Sequence, residues 1–164
     1  MRLTHFTDYA LRTLLYLGVH KGEPVPVARI ARAYGISYYH LVKVSALLTE
    51  LGLVESTRGR GGGLKLAVPE GAIRLGDVVR ATEPDLHLVE CFDPVTDRCP
   101  ITPACGLRHV LFDARRAFLE VLDGQTLGDL LAPEGQARKL QALWLSDSQP
   151  GEGVREEATT PAEP

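Results

Sequence analysis

Apolar residues recur at helical spacing through the first fifty positions. Between Phe6 and Val19, Ala10, Leu14 and Leu17 share one face, while Asp8 and Arg12 stand four apart on another. Gly22-Glu23-Pro24 ends that segment. Pro26 suits the first turn of a second helix from Val27 to Tyr34, striped by Val27, Ile30, Ala31 and Tyr34 and stopped by Gly35. Ser37 is a good N-cap for a third helix running to about Leu51, with Leu41, Val44, Leu48 and Leu51 turned inward. Gly52 terminates it. Leu53-Val54-Glu55-Ser56 and Leu64-Lys65-Leu66-Ala67 then alternate around Arg58-Gly59-Arg60-Gly61-Gly62-Gly63, which predicts a β-hairpin.

Further along, residues 73–82 carry Ile73, Val78 and Val79 as a connecting helix broken by Pro84. Residues 84–105 are rich in Pro, Asp and Thr without periodicity, so a loop is expected. Leu107, Leu111, Ala114, Phe118 and Val121 then recur at four, three, four and three. Such a heptad-like seam, flanked by Arg108, Asp113, Arg115, Arg116 and Glu120, calls for a partner helix. Gly124 ends it, Thr126-Leu127-Gly128-Asp129 resembles a capping box, and Ala137 to Leu145 is amphipathic. From Ser146 onward Ser, Pro, Gly, Glu and Thr dominate, the composition of a disordered tail.

The predicted fold is mainly α with a small β-hairpin. A winged helix-turn-helix DNA-binding domain occupies residues 1–83, and a cysteine-bearing loop follows over 84–106. A dimerisation helix and C-terminal helices fill 107–145, and the tail spans 146–164. No apolar run approaches the roughly 20 residues that span a bilayer, and Met1-Arg2-Leu3-Thr4-His5 lacks a signal-peptide apolar region, so a cytoplasmic protein without a membrane partner is expected.

Net charge is only −3, but it is unevenly spread. Residues 1–67 hold nine Lys/Arg against four Asp/Glu, and the remainder holds nine against seventeen. A basic N-terminal half on an acidic chain is the footprint of a DNA-facing module. In a helix-turn-helix the second helix offers its N-terminal residues to base edges, here Ser37, Tyr38, Tyr39, His40 and, one turn on, Lys43. Arg58 and Arg60 of the wing suit a narrow minor groove. No Ser/His/Asp group, phosphate loop or paired carboxylate site stands out, so an enzyme is not expected.

Cys91, Cys99 and Cys105 are the only cysteines. Structural zinc usually takes ligand pairs two to four residues apart, and these gaps of seven and five residues contain no such pair. Wide, loop-borne spacing better suits an iron–sulfur cluster, whose thiolates spread over several irons. Three thiolates leave one position for a histidine, a carboxylate or a ligand from another subunit. A zinc-stabilised protein-interaction module and incidental free thiols are the competing readings.

The ensemble resembles the IscR/NsrR family of winged-helix iron–sulfur transcription regulators. The resemblance covers about residues 1–145 and rests on four stretches. They are Met1 to Arg12, Ile36-Ser37 with His40-Leu41-Val42-Lys43-Val44, Gly52-Leu53-Val54 with the Arg-Gly wing, and Cys99-Pro100-Ile101-Thr102-Pro103-Ala104-Cys105. It implies a homodimeric repressor holding a cluster, 4Fe–4S in preference to 2Fe–2S, that controls binding to double-stranded operator DNA. The IscR branch takes a histidine three residues after its last cysteine, where this chain has Arg108, with His109 one place later. The nitric-oxide-sensing branch instead takes a carboxylate near the N-terminus, supplied across the dimer, which maps onto Asp8. Nitric oxide is then the signal, and release of Asp8 to pair with Arg12 accompanies the switch. The alternative within the family is a sensor of iron–sulfur status or redox state through a 2Fe–2S cluster.

Overall fold

A computed structural model describes residues 2–146. Three helices open the chain: α1 (His5–Val19), α2 (Val27–Tyr34) and α3 (Tyr38–Glu50). A hairpin of β1 (Val54–Thr57) and β2 (Gly63–Leu66) follows, then α4 (Leu75–Thr82), the long α5 (Gly106–Asp123), α6 (Leu127–Leu131) and α7 (Gln136–Ser146). The architecture is the expected winged helix-turn-helix with a long helix beyond it. Of the tail expected to be disordered, 146–164, Ser146 is the last residue of α7 and the rest lies outside the described residues.

The helical faces bury as their spacing requires. Ala10, Leu14, Leu17, Ile30, Leu41, Val44 and Leu48 are enclosed together with Val54, Leu64, Ile73, Val78 and Leu127. Each large side chain removed from water here stabilises the fold by about 1.5–3 kcal/mol. Gly35, at φ 61°, ends α2 in the left-handed region that a side chain would resist. Ser37 stands at the N-cap of α3, but its hydroxyl makes no capping bond. Leu51 differs too: it lies past the end of α3 and is exposed, since the helix stops one residue short of the inward position.

The hairpin pairs Val54 with Leu66 and Thr57 with Gly63 in antiparallel register. Val25 extends it, exchanging two backbone hydrogen bonds of 2.8 Å with Leu64. A Cβ on Gly63 would sit 2.4 Å from the Val25 carbonyl carbon, so glycine lets the wing close on the backbone just before α2.

Two features hold the second half in place. Arg80 of α4 grips Asp123 at the end of α5 with both terminal nitrogens, the Nη1–Oδ1 bond measuring 2.7 Å. That pairing holds the Asp123 carboxyl below its ordinary pKa. Thr126 and Asp129 form a complete capping box at α6. The connection between α4 and α5 contains only two short 3-10 turns, Glu90–Phe92 and Thr102–Ala104. No helix among the described residues is long and apolar enough to cross a membrane.

Candidate DNA-reading face and cysteine centre

On α3, Leu41, Val44 and Leu48 face the core, which leaves Ser37, Tyr38, Tyr39, His40 and Lys43 exposed. Tyr39 is 79% exposed, a large aromatic surface for one side chain. Its ring meets Tyr38 edge-on at 6.0 Å. His40 stacks on Tyr9 of α1 with centroids 6.2 Å apart, and Tyr9 stacks in turn on His5 at 5.8 Å. An aromatic column therefore joins the first turn of α1 to the start of α3. Arg58 and Arg60 are exposed on the hairpin turn, where Gly59 (φ 97°) and Gly61 (φ 80°) need positive φ.

Asp8 and Arg12 are paired within α1. Nε donates to Oδ1 at 2.9 Å and Nη2 reaches Oδ2 at 2.9 Å. Both side chains are more than a third exposed, and such an i,i+4 pair contributes only about 0.3–0.5 kcal/mol. The Arg12 guanidinium also lies 5.8 Å from the ring centroid of Tyr34, the last residue of α2. Burial raises the Tyr34 phenol pKa well above its usual value, so the ring rather than a phenolate meets Arg12. Arg12 thus touches both Asp8 and the first helix of the helix-turn-helix.

The N-cap of α1 is tied to the start of the cysteine segment. The Thr4 backbone N–H and hydroxyl both donate to Glu83 Oε1, at 2.8 and 3.1 Å. Thr4 Oγ1 in turn accepts from the Thr7 amide at 3.2 Å. Glu83 is the C-cap residue of α4.

All three cysteines are free thiols; Cys91 is buried, while Cys99 and Cys105 are half-buried. Their segment is built from side-chain-closed turns. Asp93 accepts from the Val95 amide at 2.9 Å and the Thr96 hydroxyl at 3.1 Å. Asp97 accepts from the Cys99 amide at 3.0 Å and the Thr102 hydroxyl at 3.1 Å. Cys105 stands at the N-cap of α5. Arg108 donates through Nε to the Cys91 carbonyl at 3.2 Å. His109 is exposed beside it. Among the described residues no three His, Cys, Asp or Glu side chains gather as they would around a single ion. Three reduced thiols on one loop are nevertheless the donor type an iron–sulfur cluster takes, so the residues fit that group in kind.

Several contributors were not evident from spacing. Spacing places Tyr34 and Arg115 on helix faces but does not give the contacts they make with distant segments, and nothing in the local pattern marks Tyr9, Glu83 or Phe92. Trp144 is one more: it packs 4.5 Å from Tyr16 and 5.6 Å from Tyr34, seating α7 on α1 and α2.

A recognition helix presented beside a glycine-turned wing defines a DNA-binding winged-helix protein. Residues 3–133 match the Rrf2 family, described as iron-dependent transcriptional regulators, and the chain belongs to that family. It is 48% identical over 141 residues to the HTH-type transcriptional regulator NsrR of Bacillus subtilis, covering 85% of this chain and 97% of that one. A regulator of the same name from Geobacillus kaustophilus is 47% identical, covering 85% and 96%. Among solved structures, CymR, the global cysteine regulator of B. subtilis, superposes with a TM-score of 0.66 at 29% identity, over 80% of this chain and 97% of that one. IscR of T. potens superposes with a TM-score of 0.65 at 28% identity, over 80% and 87%. The protein is a transcriptional regulator, in a family of DNA-binding proteins rather than enzymes.

Proposed function

We propose that the protein is a homodimeric, nitric-oxide-sensing repressor in which an iron–sulfur cluster, preferably 4Fe–4S, controls operator binding. Cys91, Cys99 and Cys105 of one subunit hold the cluster, and Asp8 of the partner subunit supplies the fourth ligand. The observation that carries this reading is the placement of Asp8. It shares a bidentate pair with Arg12, and Arg12 lies against Tyr34 of the helix-turn-helix. The pair is weak enough for Asp8 to exchange partners at little cost. Arg108 in place of a histidine, and relatives named NsrR at 42–48% identity, support the same branch.

When bound, the cluster supplies an iron site at which nitric oxide reacts. The chain's own residues convert that event into a change at DNA. A carboxylate is a hard donor beside three soft thiolates, so Asp8 is the ligand most readily lost. As Asp8 leaves Arg12 to act as a ligand, Arg12 keeps only its contact with Tyr34; as Asp8 returns, Arg12 is shared between the two again. Thr4–Glu83 and the His5–Tyr9–His40 column hold the ends of this path. The Asp8–Arg12 pair is too weak to drive the switch alone. Loss of the link between subunits supplies most of it, by releasing two recognition helices that must sit about 34–36 Å apart.

The dimer forms through α5, which buries no residue within the single chain. Leu107 and Val121 are 64% and 69% exposed, and Leu111, Arg115 and Phe118 line a cavity of about 530 Å³ shared with Leu3, Pro84, Leu86 and Leu88. A second copy of the seam covers these residues by two-fold symmetry.

Anaerobic purification followed by nitric oxide titration against operator DNA tests this function. A brown protein that releases DNA on stoichiometric nitric oxide supports it. A colourless protein, or a brown one whose DNA binding ignores nitric oxide but follows iron supply or oxidant, overturns it in favour of zinc or of a redox-sensing cluster.

A further inference from the structure

One face of α5 grips the first cysteine and neither of the others. Arg108, Phe112 and Arg115 follow one another at spacings of four and three, so they project from the same side of the helix. Arg108 Nε donates to the Cys91 carbonyl at 3.2 Å. The Arg115 guanidinium lies 4.8 Å from the ring centroid of Phe92 and 4.8 Å from that of Phe112. The two rings meet edge-on, 6.1 Å apart. Residues 91 and 92 are therefore held at backbone and side chain by a regular helix. The turn they occupy is closed on itself by Phe92 N–H donating to Val89 O at 3.1 Å and Asp93 N–H donating to Glu90 O at 3.1 Å.

The other thiols are placed differently. The Cys99 amide is bonded only within its own loop, to Asp97, and Cys105 begins α5 itself. Burial follows the same division: Cys91 is 9% exposed, and Cys99 and Cys105 are half-buried.

We propose that Arg108, Phe112 and Arg115 form a clamp that presets Cys91, making it the first thiolate to receive the iron–sulfur cluster, with Cys99 and Cys105 closing afterwards. This rests on the reading that the three cysteines are the ligands. A ligand fixed in advance loses less freedom on binding, and each cysteine gives up its thiol proton to solvent as it binds iron. The clamp residues are positioning residues. They do not reach the iron, and they tie Cys91 to the helix assigned to the dimer.

The test is site-resolved alkylation of the full, metal-free chain under anaerobic conditions, with iodoacetamide and peptide mass spectrometry. In the wild type Cys91 reacts slowest. Arg108→Ala/Arg115→Ala accelerates Cys91 about tenfold, the scale of losing a cation–π contact and a hydrogen bond together, and the charge-preserving Phe92→Leu, which leaves the Arg108 bond in place, about threefold. Cys99 and Cys105 keep their wild-type rates. During reconstitution with ferrous iron and sulfide, Cys91 gains protection before the other two in the wild type, and that order is lost in both variants. Equal rates for all three wild-type cysteines, or a uniform acceleration in the variants, overturn the clamp. A wild-type chain that assembles no cluster overturns the ligand reading instead, and the metal-free alkylation rates then judge the clamp separately.

Discussion

In the proposed switch Asp8 can exchange partners because its pair with Arg12 holds it only weakly. An exposed i,i+4 pair is worth a few tenths of a kcal/mol, whereas the Glu83 contact beneath it is made of two hydrogen bonds to one charged oxygen. Glu83→Ala is expected to loosen the first turn of α1 and lower the melting temperature by about 2–4 °C, the size of a loss near 1 kcal/mol in a chain of this length. Glu83→Gln keeps the acceptor oxygen and should restore most of that. Calorimetry on the two variants checks this, and equal melting temperatures for Glu83→Ala and wild type would show that the contact is not formed in solution. Asp8 and Arg12 were visible in the sequence because their relation is local, one helical turn. Glu83, 79 residues from Thr4, was not, since spacing records a helix face but not what another segment brings to it. Ser37 shows the reverse error. Its residue type suits a cap, but the α3 end goes without its hydroxyl, and Ser37 stays exposed on the candidate DNA-reading face.

At the scale of elements, the stops and turns were the most legible part. Gly35, Gly52 and the Thr126–Asp129 box end or begin helices where their chemistry requires it. Trp144 was not anticipated, because the α7 pattern marks a helix without saying that its ring fits against Tyr16 and Tyr34. The wing is an element whose glycines serve two ends. Gly63 allows close approach to Val25, and Gly59 and Gly61 shape the turn that exposes Arg58 and Arg60. The arginines carry the contact with DNA in this account. Arg58→Ala/Arg60→Ala should weaken operator binding and reduce the slope of log affinity against log salt by about one to two units. Binding titrations at several salt concentrations measure this; an unchanged slope would make the wing a spectator.

At the scale of the whole molecule, α5 has too little to bury within one subunit. Its cysteine-proximal half grips Cys91, its far end is held to α4 by Arg80–Asp123, and its seam stands open between. Phe118→Asp places a charge in that seam and should give monomers or aggregates, as read by analytical ultracentrifugation; a dimeric variant would put the interface elsewhere. The heptad spacing pointed to a helix in want of a partner, and the three cysteines to a proposed centre. Neither could say how the centre and the recognition helix communicate. The proposed path, from Asp8 through Arg12 to Tyr34 and from Tyr9 to His40, is made of contacts between α1, α2 and α3 that only the folded chain brings together.

The exchange of Asp8 between Arg12 and the cluster is the central claim, and one measurement addresses it directly. Wild type, Asp8→Ala and Asp8→Cys are mixed with nitric oxide in a stopped-flow spectrometer while operator binding is followed in parallel. Asp8→Ala is expected to assemble a cluster, since water or an added thiol fills the open position, but to react at a different rate and with altered coupling to DNA. Asp8→Cys should hold the cluster more firmly and blunt the response. Identical kinetics and identical DNA release in all three proteins would remove Asp8 from the site and leave His109 as the residue to examine.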